Sequence, residues 1–239
     1  MTTTPPADGD ADVQPAIPAA TVVLVRDRVD GLETLMLRRD AQLVFAGGAW
    51  VFPGGRIDPD DYPRDVVDDD ERTFEAARNA AAREALEEAG LVVDPTSLVW
   101  FAHWTPPSAG HNNRRFATWF FAARAPTGTV VIDDGEIREH LWIRPIDALR
   151  RRDDGEILII PPTWMTLHML AEAASVDDLL AGMRAGEPAV YVTRIGRAGD
   201  TPVSMWVGDA GYDDGDANKP GPRHRLLMGE GGWTLERDV

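Results

Sequence analysis

Arg83-Glu84-Ala85-Leu86-Glu87-Glu88-Ala89-Gly90-Leu91 is the stretch on which the reading of this chain turns. It closes residues 74–89, a run rich in Ala, Glu and Arg and free of Pro and Gly, which predicts a helix. Gly90 falls where a helix commonly stops, because glycine enters the left-handed conformation without a Cβ penalty. Glu84, Glu87 and Glu88 stand at i, i+3 and i+4, so a helix puts them on one face. Like charges at these spacings oppose helix formation, so helix stability does not account for them. A cluster of carboxylate oxygens suits a hard divalent cation such as Mg2+ or Mn2+. A solvated acidic face paired to arginines is the plainer reading of Glu-x-x-Glu-Glu taken alone. Against it, positions 76, 77, 80, 81, 82, 85 and 89 are all alanine, a smooth surface for close approach to a sheet.

Outward from this helix the chain reads as strands. Residues 20–25 and 32–37 are apolar runs joined by an Asp30-Gly31 turn signal. Trp50-Val51-Phe52 is a short strand ending at a Pro53-Gly54-Gly55 turn, and residues 57–71, rich in Asp with Pro59 and Pro63, read as a loop. Residues 91–104 and 115–123 read as strands, and Leu141-Trp142-Ile143 as a short third. Residues 146–151, 164–174 and 176–183 look helical. Residues 189–195, 203–207 and 225–228 look like short strands between Gly- and Asp-rich loops. One long helix flanked by strands argues for an α/β sandwich with a mixed sheet over residues 16–160. A helical and β extension over residues 161–239 is expected to pack on that core. Residues 1–15 carry almost no hydrophobic content and are expected to be a disordered acidic tail.

Composition narrows the function. The formal net charge of the 239 residues is −16, a field that repels nucleic acid backbones and anionic membranes. There is no cysteine, which excludes thiolate nucleophiles and zinc–cysteine sites. Lys219 is the one lysine and Pro220 follows it, so no Walker-A loop exists. The first residues lack a signal-peptide core and no apolar run approaches a membrane span, so a cytoplasmic protein is expected.

These residues resemble the Nudix family, whose motif is Gly-x5-Glu-x7-Arg-Glu-U-x-Glu-Glu-x-Gly-U, with U a bulky aliphatic residue. Glu75, Arg83, Glu84, Glu87, Glu88, Gly90 and Leu91 match in register, with Ala85 small for the first U. Counted back from Glu75, the motif glycine falls at Asp69. The glycine at hand is Gly55, after Trp50-Val51-Phe52-Pro53-Gly54. This alignment puts a fourteen-residue acidic insertion between Gly55 and Glu75, within residues 56–73. It is expected to bulge outward and contribute nothing to the catalytic centre. The interrupted motif and its approach look like the coenzyme A diphosphatase-like branch of the family.

The resemblance implies a Nudix-type α/β/α sandwich and hydrolysis of a pyrophosphate bond in a nucleoside-diphosphate-linked substrate, with Mg2+ or Mn2+ as cofactor. Glu84 and Glu88 become the principal metal ligands and Glu87 a ligand or orienter of a second metal or water. Arg83 holds a carboxylate, with Glu75 the candidate. Gly54 and Gly55 let backbone approach phosphate or metal. Glu136 and Glu139, before Leu141, lie where relatives supply a further carboxylate, with Glu136 the candidate general base. Arg38, Arg39, Arg114 and Arg115 are candidate phosphate contacts. The five histidines show no metal-ligand spacing and read as structural. Coenzyme A or an acyl derivative is the candidate substrate, and a homodimer is open. Two other classes stay in view: a Nudix-fold module that senses a nucleotide without turnover, and a structural domain with a merely solvated acidic face. Retention of all three glutamates favours catalysis.

Overall fold

The first apolar run sits inside β1 (Ile17–Arg28), whose residues from Ala19 to Val25 are buried, and it is the strand around which the molecule is arranged. In the computed structural model, residues 15–43, 46–107, 115–133 and 135–238 are described. The turn at Asp30 leads to β2 (Gly31–Arg39), antiparallel to β1. β3 (Trp50–Val51) pairs with β2, and β4 (Gly54–Arg56) pairs with β1. Gly54 and Gly55, expected in a turn, are thus strand residues. After the long helix α1 (Asp69–Ala89) come β5 (Val99–Thr105), β6 (Phe116–Arg124) and β7 (Ile137–Ile143). Three helices follow, α2 (Pro145–Asp153), α3 (Pro161–Leu170) and α4 (Val176–Ala185), and then β8 (Ala189–Val192).

Among the described residues the main sheet has eight strands, in the order β3-β2-β1-β6-β5-β8, with β4 beside β1 and β7 beside β2. β1 runs parallel to β6 and β5 parallel to β8, while the other pairs are antiparallel, so the sheet is mixed. One face packs on α1 through Ala20, Val22, Leu24, Leu35, Leu37 and Phe121. The other packs on α2, α3 and α4 through Val23, Met36, Phe101, Leu149, Leu167 and Leu179. This is the expected α/β/α sandwich. The tail of the chain, expected only to pack on the core, also threads β8 into the sheet itself. It then forms a second, antiparallel sheet from β9 (Arg194–Ala198), β10 (Thr201–Met205), β11 (His224–Gly229) and β12 (Gly232–Arg237).

Helix α1 begins five residues earlier than its alanine-rich run implies. Asp68 accepts the Glu71 N–H as an N-cap, and Asp69, Asp70 and Glu71 fill the first turn, where the helix dipole favours anions. Its far end is as expected: Gly90 takes φ 67° and donates to Ala85 and Leu86. Residues 91–98 are not strand. Asp94 accepts the Thr96 N–H to cap a short 3-10 turn at Pro95–Ser97, and β5 starts only at Val99. No helix among the described residues is long and apolar enough to cross a membrane.

The second sheet carries one buried ion pair. Arg225 Nε and Nη2 donate to the two Asp209 oxygens at 2.6 Å each, Nη1 donates to the Ala217 carbonyl, and Asp209 also accepts the His224 and Gly211 N–H groups. Both side chains are almost fully buried. Arg225→Met is therefore expected to destabilise the protein by about 3–5 kcal/mol, because it strands a buried carboxylate. Urea unfolding measures it. A loss below about 1 kcal/mol contradicts this account, and adding Asp209→Leu should restore part of the loss.

Candidate active site

α1 lays its alanine face on β1, and its last two turns therefore meet β4. Glu88 Oε2 accepts the Gly54 N–H at 2.9 Å, and Glu88 is only 6% exposed. An ideal Cβ at Gly55 would lie 2.3 Å from Glu84 Oε1, and one at Gly54 would lie 2.6 Å from the Ala20 carbonyl oxygen. Both glycines are thus demanded by close approach of backbone to carboxylates and neighbouring strand. Neither takes a left-handed φ, contrary to the turn reading. Glu84 and Glu88 converge on this glycine strand, while Glu87, more than half exposed, points outward.

Arg83 organises the cluster. Its Nη1 donates to Glu84 Oε1 at 2.8 Å and to Glu87 Oε2 at 2.9 Å, and its Nη2 donates to the Arg56 carbonyl at 3.0 Å. The remaining edge is held by Asp61, in a fork of Nε to Oδ1 at 3.0 Å and Nη2 to Oδ2 at 2.9 Å. Asp61 is buried at 7% exposure, accepts the Asp58 N–H, and offers its own carbonyl to Asn79. Glu75, the expected partner, binds Arg78 instead, at 3.4 Å.

This relocates the interruption in the motif. Asp61 follows Gly55 after five residues, the spacing the motif gives its first acid. Residues 62–82 then separate Asp61 from Arg83, twenty-one where the motif has seven. The additional length lies after the first acid, in the approach to α1 and its opening turns. Residues 56–73, expected to stand outside the centre, supply one of its buried carboxylates. Counting forward from Gly55, rather than back from Glu75, finds it, provided Asp is accepted for Glu.

The expected cations divide between the faces of β2. Arg39 faces α1: its Nη2 donates to Glu136 Oε2 at 2.9 Å and its Nη1 lies 3.9 Å from Glu88 Oε1. Arg38 projects from the opposite face, cross-strand from Trp50, and pairs with Glu139 at 2.5 Å. Glu136 therefore joins the glutamate cluster and Glu139 does not. Arg115 is buried and donates to the Pro106 carbonyl, bracing the end of β5 rather than reaching the glutamates. Arg114 and His111 lie outside the described residues. His103 is buried against Trp119, and burial pulls its imidazole down to about 4. His168 stacks on Trp164 and His224 binds the Val207 carbonyl, as structural histidines do.

Burial pushes the Glu88 carboxyl up to about 8, and the Glu84 and Glu136 charges push the same way, against the Gly54 N–H and Arg39. Burial also raises Glu84, opposed by Arg83. Among the described residues no three acidic or histidine side chains close into a ready-made cation cage. The donor chemistry nonetheless fits a hard divalent cation. Glu84 and Glu88 are oxygen donors whose carboxyls burial pushes up even against Arg83 and Arg39, so further positive charge is favoured there, and they are set against a glycine strand with no side chain in the way.

The NUDIX domain family profile matches residues 16–160, more than half of the chain, and the chain belongs to that family. Among individual proteins, an acyl-coenzyme A diphosphatase, NUDT19 of Gallus gallus, is 32% identical over 94 residues, which are 38% of this chain and 25% of that protein. The match thus spans about a quarter of the curated relative. A Nudix hydrolase from Alicyclobacillus acidocaldarius superposes with a TM-score of 0.60 at 23% identity, covering 72% of this chain and 97% of that one, a likeness of fold. The NUDIX domain of Shewanella oneidensis NrtR, solved with ADP ribose, superposes at 0.48 with 15% identity, over 65% of this chain and 86% of that one.

Proposed function

We propose that this protein is a metal-dependent pyrophosphohydrolase acting on a nucleoside-diphosphate-linked substrate, with coenzyme A or an acyl-coenzyme A as the substrate to test first. The observation that carries the reading is the convergence of Glu84 and Glu88 on the Gly54-Gly55 strand. The interrupted motif and the partial likeness to an acyl-coenzyme A diphosphatase support the choice of substrate.

Glu84 and Glu88 are the residues to hold Mg2+ or Mn2+, with Glu87 reaching a second ion or an ordered water. Bound there, a divalent ion offsets phosphate charge and lowers the pKa of an attacking water. The chain's own groups do the rest. Asp61 fixes Arg83, which fixes Glu84 and Glu87, so the carboxylates need little rearrangement. Arg39, already between Glu88 and Glu136, is placed to bind a phosphate oxygen. Glu136 is the candidate to accept the proton of the attacking water.

The test is hydrolysis with Mg2+ and with Mn2+ of coenzyme A, acyl-coenzyme A, ADP-ribose, NADH, diadenosine polyphosphates and nucleoside triphosphates, with product masses read directly. Cleavage at a diphosphate bond supports the proposal. Tight nucleotide binding without any product would make the protein a sensing module instead.

Metal is also expected to stabilise the fold, because unfolding scatters Glu84 and Glu88. At a hundredfold excess over Kd the gain is about 2.7 kcal/mol, a melting shift on the order of several degrees. Na+ at matched ionic strength controls for screening of the acidic surface. The Mg2+-specific shift should largely vanish in Glu84→Gln/Glu88→Gln. An equal shift in both proteins would place the metal elsewhere.

A further inference from the structure

Thr21 is the one polar side chain in the buried run of β1 from Ala19 to Val25, and it is 6% exposed. We propose that Thr21 is a positioning residue of the metal site: its hydroxyl holds the Pro53–Gly54 peptide, and the N–H of that peptide holds Glu88. This rests on the pyrophosphohydrolase reading above and adds to it a residue that touches neither metal nor substrate.

The hydroxyl has a definite partner. Thr21 Oγ1 donates to the Pro53 carbonyl at 2.5 Å, with the Phe52 carbonyl farther off at 3.4 Å. A buried hydroxyl costs stability unless it is bonded, so this bond explains how the hydroxyl is tolerated but not why it is there. Valine has nearly the same shape and would suit an apolar strand without any partner. The carbonyl does not need the bond either, because the Val22 N–H already donates to the Pro53 oxygen at 2.9 Å. The use of the second bond lies on the far side of the same peptide unit. There the Gly54 N–H donates to Glu88 Oε2 at 2.9 Å.

The local chain makes the orientation of that peptide worth fixing. Its plane rocks through ψ of Pro53 and φ of Gly54, and glycine is the residue that resists such rocking least. One bond to the carbonyl pins a point, whereas two from different donors hold the plane. Two donors on the carbonyl also polarise the unit and strengthen its N–H as a donor. Glycine at 54 is what admits the contact. Thr21 is the cross-strand partner of Gly54, and a Cβ at Gly54 would lie 2.6 Å from both Cβ and Oγ1 of Thr21.

The two ends of this relay stand on different faces. Ala20, Val22 and Leu24 pack toward α1, so the Thr21 side chain, between them in the alternation, faces away from α1. Glu88 is on α1 itself. Thr21 therefore acts on Glu88 through the peptide alone. Glu84 is held by another route, from Asp61 through Arg83, so each principal ligand has its own support.

The test titrates Mn2+ into the full chain by calorimetry, comparing the parent with Thr21→Val, Thr21→Ala, Thr21→Ser and Thr34→Val. Thr34 is the control, a buried hydroxyl that donates to the Leu24 carbonyl at 3.1 Å, away from Glu88. Thr21→Val and Thr21→Ala should each weaken Mn2+ binding about tenfold, as loss of a partner that orients a ligand does. Thr21→Ser should bind as the parent does. Thr34→Val should lower the melting temperature without changing Mn2+ affinity. Turnover of the Thr21→Ala variant should fall at limiting Mn2+ and return to within about threefold of the parent at saturating Mn2+, with KM for the cleaved substrate unchanged. Thr21→Ala removes the hydroxyl without setting a methyl against the Pro53 oxygen, so it decides the matter if Thr21→Val fails to fold. Parent-like affinity in Thr21→Ala, an equal loss in Thr21→Ser, or an equal loss in Thr34→Val overturns the inference while leaving the metal site intact. Mn2+ binding that survives Glu84→Gln/Glu88→Gln overturns the pyrophosphohydrolase reading, and this inference with it.

Discussion

Glu88→Gln is expected to lower turnover by about a hundredfold or more while the protein remains folded. Glutamine keeps the shape of the side chain and an oxygen to accept the Gly54 N–H. What it removes is the negative charge, in a place where that charge is hard to keep. Burial and the neighbouring Glu84 push the carboxyl up to about 8, so a neutral amide should fit the metal-free fold at least as well. The expected signature is a melting temperature equal to or above the parent's without metal, a smaller Mg2+-induced shift, and little product. Turnover within about threefold of the parent would remove Glu88 from the chemistry.

Asp61→Asn should cost about 10- to 100-fold in metal affinity or turnover, the usual effect of losing a partner that orients a ligand. Asparagine offers one acceptor where the Arg83 fork takes two, so Arg83 loses its alignment and, with it, the hold on Glu84 and Glu87. Glu75→Gln is the informative control, since Glu75 touches Arg78 at a partly exposed site and should behave as the parent. A short Gly/Ser linker in place of residues 64–67 should also leave metal affinity unchanged, because Asp61 and the Asp68 cap stay in place. Calorimetric titration with Mn2+ reads affinity directly. If Glu75→Gln is damaged and Asp61→Asn is not, then Glu75 rather than Asp61 is the first acid of the interrupted motif.

The parts legible in the sequence were those whose signal is local. The alanine face and acidic triad of α1 repeat at helical spacing, and the buried runs of β1 and β2 are short and continuous between turn signals. The parts that escaped depend on what a segment meets across the fold. Gly54 and Gly55 read as a turn because nothing nearby discloses that β1 will take them as a strand. Arg38 and Arg39 read as equivalent phosphate contacts, yet the alternation of β2 sends them to opposite faces. Asp61 was hidden by its surroundings, one aspartate among many in an acidic stretch, distinguished only by the guanidinium that reaches it from twenty-two residues on. β12 escaped because its alternating residues are half exposed and carry little apolar signal.

The threading of β8 beside β5 has a consequence for the order of events on the ribosome. β5 finds β6, its next strand, almost at once, but its outer edge waits for Ala189–Val192. Two strands and three helices are made in between. At about 5–20 residues per second, the nascent chain spends several seconds with an open hydrogen-bonding edge beside Phe101 and Trp104, the kind of edge that other chains pair with. The glutamate site can be complete in sequence well before the sheet that carries it is closed. Synthesis of residues 125–192 is therefore also the interval in which this protein is most exposed to mispairing, and its yield in a cell should depend on how quickly that edge is covered.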